Sequence, residues 1–280
     1  DSVASADPPS DPDARISRTI PMLVTAALEE VEDEITESPP EENVIEEFLA
    51  SKNINIKFIP AEDAADDVIN SLAVFLGTHC NALSELLSKI KTNMQIGGLI
   101  TLPVKDYQQK DRSDTCQFCT LLHDIAFLEQ YKYFRSPQYI IKAKTTTLPS
   151  AQNFFSGKWL ERFVLQTVQQ AVASVSTEME KELDFSYLIN PQISLPNGND
   201  FELDLIFQVN GCFYWIEAKT GDYQQHISKY SKISKMIGLD HEHSIMVLTD
   251  IQPDKSNALT ALFSMTVYEL SQLEKGLIET

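Results

Sequence analysis

The stretch Phe201-Glu202-Leu203-Asp204-Leu205-Ile206-Phe207-Gln208-Val209, followed by Asn210-Gly211 and Cys212-Phe213-Tyr214-Trp215-Ile216-Glu217-Ala218-Lys219, decides how this chain is read. Phe201, Leu203, Leu205, Phe207 and Val209 recur at every second position, the period of a strand with one buried face. Glu202 and Asp204 then share the opposite face. Asn210-Gly211 signals a two-residue hairpin, because both central positions of a type I′ turn need positive φ. That turn sets Val209 opposite Cys212, and the register continues with Gln208 opposite Phe213, Asp204 opposite Glu217 and Glu202 opposite Lys219.

Two carboxylates directly across strands repel, which gains a purely structural sheet nothing. A divalent cation between them resolves the conflict. Mg²⁺ and Mn²⁺ favour oxygen ligands, and two carboxylates with a backbone carbonyl leave positions for water and a phosphate oxygen. Lys219 falls on the face of Glu217, where its ammonium can orient the attacking water and offset charge on a phosphate. These parts suit hydrolysis of a phosphodiester.

Outward from the hairpin, the periodicity predicts a helix over residues 157–174, strands over 185–194, 201–209 and 212–219, a helix over 222–237 and a strand over 244–250. The order α-β-β-β-α-β implies an α/β fold, a mixed sheet flanked by helices. Residues 42–147 read as a separate, mostly helical α+β region of unknown role. It has a strand over 54–59, one long helix over 63–90 and another over 113–131. No phosphate-cradling glycine loop occurs there. Residues 1–41 form an acidic arm whose first 14 residues have a disordered composition, followed by a helix near 16–36 and a linker at Glu37-Ser38-Pro39-Pro40.

Asp204 followed by Glu217-Ala218-Lys219 at the end of the next strand resembles the PD-(D/E)XK superfamily of restriction-endonuclease-like nucleases, and the order of elements agrees. The resemblance implies that Asp204, Glu217 and the Ala218 carbonyl bind Mg²⁺ or Mn²⁺ and that Lys219 is catalytic. The family's Pro is replaced here by Leu203. Many members add a carboxylate from the preceding helix, and Glu161 in Gly157-Lys158-Trp159-Leu160-Glu161 is similar to it. On a helix Glu161 falls with Val164, Leu165 and Val168 on the apolar side, where a carboxylate needs a partner. Trp-Leu-Glu, the Asp-bearing strand and Glu-Ala-Lys-Thr-Gly together resemble nuclease domains of CRISPR-associated effectors, which implies a role in defence. Those effectors sense a cyclic nucleotide with a separate N-terminal domain. The first half of this chain lacks the strand-helix alternation of such a sensor, so that function is not carried over. By analogy with the fold, a homodimer is an open option, as is a protein partner for the N-terminal half.

Glu202 has two readings of equal weight, a partner of Lys219 or an outward acid on the sheet rim. His226, Lys229, Lys232 and Lys235 recur at about three-residue spacing after Glu-Ala-Lys. They make either a solvated helix face or, with Gln224, Gln225 or Tyr230, a contact surface for backbone phosphates.

The net charge of -19 argues against a nucleic-acid partner, but residues 1–46 alone carry -11 of it, leaving -8 for the rest. At 43% hydrophobic the chain can fill a core. No apolar run approaches the ~18 residues of a membrane span, and the first residues show no secretion-signal pattern, so a cytoplasmic protein without membrane contact is expected. Cys80, Cys116, Cys119 and Cys212 do not make a disulfide framework, and Cys212 is expected inside a buried strand. Cys116, Cys119 and His123 suit a zinc ion less well than a helix, on which Cys119, Leu122 and Phe127 are apolar at helical spacing. Two blander readings of the whole constellation remain: a surface ion pair between Glu217 and Lys219, or a nuclease-like fold without catalysis that serves as an interaction module.

Overall fold

Asn210 and Gly211 adopt left-handed φ values of 50° and 83° in the computed structural model, which describes residues 43–279 apart from 62, 222, 225, 226 and 250. The expectations for the arm of residues 1–41, for Gln225 and for His226 lie outside the described residues. The chain runs through α1 (Val44–Ser51), β1 (Asn55–Phe58), α2 (Asp66–Thr78), α3 (Cys80–Asn93), β2 (Leu99–Pro103), α4 (Gln109–Asp124), β3 (Leu128–Phe134) and β4 (Ile140–Thr145). Next come α5 (Pro149–Asn153), a kinked turn at Phe154–Lys158 with non-helical backbone at Gly157, α6 (Trp159–Glu178), β5 (Phe185–Ile189), β6 (Gln192–Ser194), β7 (Asp200–Glu202), β8 (Leu205–Val209) and β9 (Cys212–Lys219). The chain ends with α7 (Ile227–Ile237), β10 (Ser244–Leu248), α8 (Pro253–Phe263), β11 (Thr266–Glu269) and α9 (Leu273–Glu279).

The fold is α/β. A five-stranded sheet has the order β11-β10-β9-β8-β5, with β10 parallel to both β9 and β11, and β8 antiparallel to both β9 and β5. Val164 and Val168 of α6 pack on one face, with Leu205, Phe207, Ile216 and Val247. Ile227, Tyr230, Ile233 and Ile237 of α7, joined by Ile45 and Leu49 of α1, cover the other face with Ile206, Trp215 and Met246. A small antiparallel sheet, β2-β4-β3, and a second one, β1-β6-β7, stand beside it.

The hairpin register is the one its turn requires, from Val209 opposite Cys212 to Leu205 opposite Ile216. It then stops, because the chain breaks at Leu203-Asp204. Leu203 and Phe201 pack on the α7 side, whereas Leu205 and Phe207 pack on the α6 side, so the five apolar positions do not share one face. Glu202 consequently lies opposite Gln192, not Lys219. The strand expected over 185–194 is likewise divided, by Asn190 at φ 51°. The helix expected over 63–90 is two helices meeting at His79, and that over 113–131 ends at Asp124, with Leu128 already in a strand. Cys119 is buried on α4, no disulfide joins the four cysteines, and Cys212 is exposed at the edge of the turn rather than buried.

Residues before and after position 148 share one core, in which Leu72, Leu76, Leu86 and Phe118 pack with Trp159, Leu160 and Val164. Helices α2 and α6 approach closely, and a Cβ at Gly77 would lie 2.1 Å from the Phe163 ring. Alanine improves helix propensity by up to ~1 kcal/mol, but this overlap outweighs it. Gly77→Ala is expected to destabilise the protein by about 1–3 kcal/mol in chemical denaturation. Among the described residues no helix is long and apolar enough to cross a membrane.

Candidate active site

Where β8 begins, Asp204 substitutes its side chain for the missing backbone ladder. Its Oδ2 accepts from the Ala218 N–H at 2.8 Å and from Lys219 Nζ at 3.1 Å. Lys219 Nζ also meets Glu217 Oε1 at 2.7 Å. One ammonium therefore spans two carboxylates that are 5% and 2% exposed. The Glu217 carboxyl also has the Tyr230 hydroxyl as a hydrogen-bond partner, and among the described residues its Oε2 is buried with no hydrogen bond.

Electrostatics follow from burial. Loss of hydration, followed by the nearby Glu161 charge, raises the Asp204 pKa in spite of Lys219 and the Ala218 N–H. Burial and then Asp204 raise that of Glu217 more strongly. Burial opposes the charge on Lys219, but Glu217 and Asp204 outweigh it and push its pKa up. The Tyr230 ring of α7 lies 5.6 Å from Lys219 Nζ, and burial together with Glu217 raises its hydroxyl pKa. Phe201, Trp215 and Tyr230 make an aromatic floor, with ring centroids 6.1–6.2 Å apart.

Glu161, in the first turn of α6, is 8% exposed. Its Oε2 accepts from Asn190 Nδ2 at 2.7 Å and pairs with Lys158 Nζ at 3.0 Å. Lys158 also reaches Glu202 Oε1 at 3.0 Å, so Glu202 is an exposed rim acid whose partner is Lys158 rather than Lys219. Asn190 and Lys158 were not singled out from the sequence. Asn190-Pro191 is a turn signal inside the residues assigned to one strand, and Lys158 precedes Glu161 by three helical positions.

The oxygen donors that could hold a cation here are two carboxylates whose ionised forms burial opposes, one of them with a buried oxygen that has no hydrogen bond among the described residues. Among the described residues, however, no three Asp, Glu, His or Cys side chains converge as a complete metal site. Glu161 is engaged by Asn190 and Lys158, and Lys219 stands between the other two acids. Cys116, Cys119 and His123 gather no such group either.

Lys229, Lys232 and Lys235 are exposed on α7. Lys229 and Lys232 line a groove of about 370 Å³ with Asn197, Asn199 and Asp200. Lys229 Nζ lies 4.8 Å from the Phe201 ring centroid, beside the aromatic floor. Lys235 lines a separate groove with His241 and Asn257.

No protein-family model matches the sequence, and no curated protein matches it. Among solved structures the chain is similar to protein VC1899 from Vibrio cholerae, at 16% identity and a TM-score of 0.56. It is also similar to Can2 from Sulfobacillus thermosulfidooxidans in complex with cyclic tetra-adenylate, at 15% identity and a TM-score of 0.54. Each similarity covers 84% of this chain and 59% of the other, so the chain spans about three fifths of the length of these structures. At such identities the likeness is one of fold.

Proposed function

We propose that this chain is a Mg²⁺- or Mn²⁺-dependent nuclease of the PD-(D/E)XK kind that hydrolyses phosphodiester bonds of DNA or RNA. The observation that carries the reading is the pair of buried acids, Asp204 and Glu217, brought together at a strand break and sharing Lys219. The fold is held in common with Can2, a protein solved in complex with cyclic tetra-adenylate, and that likeness supports a nucleic-acid-related role.

In this reading Asp204 and Glu217 hold the ion, with the Ala218 carbonyl and Glu161 as further oxygen donors. A bound divalent cation lowers the pKa of a coordinated water and offsets charge on the phosphate. Lys219 exchanges a carboxylate contact for a phosphate oxygen or the attacking water, and its raised pKa keeps it a cation. Lys229 and Lys232 steer the phosphate backbone, the contact that an acidic chain most needs.

The closed trio of Asp204, Lys219 and Glu217 favours a second reading, a silent module in which the ion pairs are structural. Incubation with Mn²⁺ and labelled single- and double-stranded DNA and RNA separates the two. A nuclease cleaves at least one substrate, and a chelator or Asp204→Asn abolishes the cleavage. Intact substrates throughout point to the module.

A further inference from the structure

Resting on the cation-site reading above, we propose that Asn190 is a positioning residue that sets the spacing between Glu161 and Asp204. The residue closes β5 with φ 51°, a left-handed conformation that Asn enters more readily than most residues. Its backbone N–H donates to the Asp204 carbonyl at 3.1 Å. Its Nδ2 donates to Glu161 Oε2 at 2.7 Å and points to the same Asp204 carbonyl at 3.5 Å. One side chain thus ties the acid on α6 to the residue whose carboxylate meets Ala218 and Lys219.

The other donor to Glu161 is less able to fix it. Lys158 divides its ammonium between Glu161 and Glu202, and its side chain is 42% exposed, so water competes for it. Asn190 has two side-chain torsions and is anchored on both sides by its own backbone bond and by Pro191, whose carbonyl accepts from the Leu203 N–H at 3.2 Å. The same turn therefore orders the Leu203-Asp204 break and orients Glu161. Partners that orient a metal's ligands in this manner typically change its affinity by about 10–100-fold when removed.

A residue that merely formed the turn could be replaced by glycine without consequence for the site, since glycine adopts positive φ freely and keeps the N–H. Asn190→Gly therefore isolates the amide. Calorimetric titration with Mn²⁺ alone, without substrate, is expected to show affinity weakened about tenfold. In a Glu161→Gln background the same change is expected to alter affinity by less than about twofold. Thermal melts without metal check that each variant is folded. Affinity equal to wild type in Asn190→Gly, or an equal loss with and without Glu161, overturns the role. Wild-type protein that takes up no Mn²⁺ overturns the cation site and this role with it, a result distinct from the other two.

Discussion

Lys219→Met is expected to lower metal-dependent cleavage by about 10³-fold or more and to destabilise the metal-free protein by about 3–5 kcal/mol. Both effects come from one atom. Lys219 Nζ is the shared partner of Asp204 Oδ2 and Glu217 Oε1, and without it two buried carboxylates face each other uncompensated. Addition of Mn²⁺ should restore part of the lost stability, raising the melting temperature more in the variant than in wild type, while activity stays lost. Lys219→Arg guards against a variant that fails to fold. It retains the charge, yet its planar fork does not reproduce the ammonium's contacts with the two acids, so cleavage is expected to fall sharply in a folded protein. Activity near wild type in either variant would remove Lys219 from the chemistry.

Glu217→Gln is expected to stabilise the metal-free protein at pH 8 by on the order of a few kcal/mol while abolishing cleavage. Folding raises the Glu217 pKa from 4.5 to about 8 and that of Asp204 from 3.8 to about 6. Between those limits the native state retains protons that the unfolded chain has released. The stability they contribute is fully present below about pH 4 and is lost as the pH rises through about 8. Wild-type protein without metal should therefore lose stability across that window, and Glu217→Gln should flatten the slope. A bound cation prefers the ionised acids, so the slope with Mn²⁺ should weaken or reverse. Chemical denaturation at pH 5 and pH 8, with Mn²⁺ and with chelator, reads all four corners. A metal-free wild type that gains stability from pH 5 to pH 8, with the same profile in Glu217→Gln, would contradict the electrostatic picture.

The site could be approached from sequence because its decisive features are local. Asn210-Gly211 specifies its own turn, and the turn dictates the register of Val209 with Cys212 and its neighbours. Glu161 is singled out by the family resemblance, with its place on the apolar side of a single helix in support. The break at Leu203-Asp204 was not legible, because the apolar alternation continues through it while the chain changes sides. That break displaced the expected partner of Glu202 and created the link between the Asp204 side chain and the Ala218 N–H. The turn at Ala126, with φ 62°, carries no glycine, so the helix over 113–131 appeared unbroken and strand β3 was missed. The β2-β4-β3 sheet and the parallel pairing of β10 with β9 and β11 depend on contacts distant in sequence, which periodicity alone does not reveal. Asn190 belongs to this group as well: its partners Glu161 and Asp204 lie 29 and 14 positions away.

The cation site is tested most directly by titrating Mn²⁺ into wild-type and Glu217→Gln protein at pH 8 in a calorimeter. The geometry predicts saturable binding to wild type, with release of protons from the buried acids, and loss of that binding in the variant. Equal heats in the two proteins, or none in wild type, would show that the acids meeting at Lys219 form a structural ion cluster and not a place for a metal.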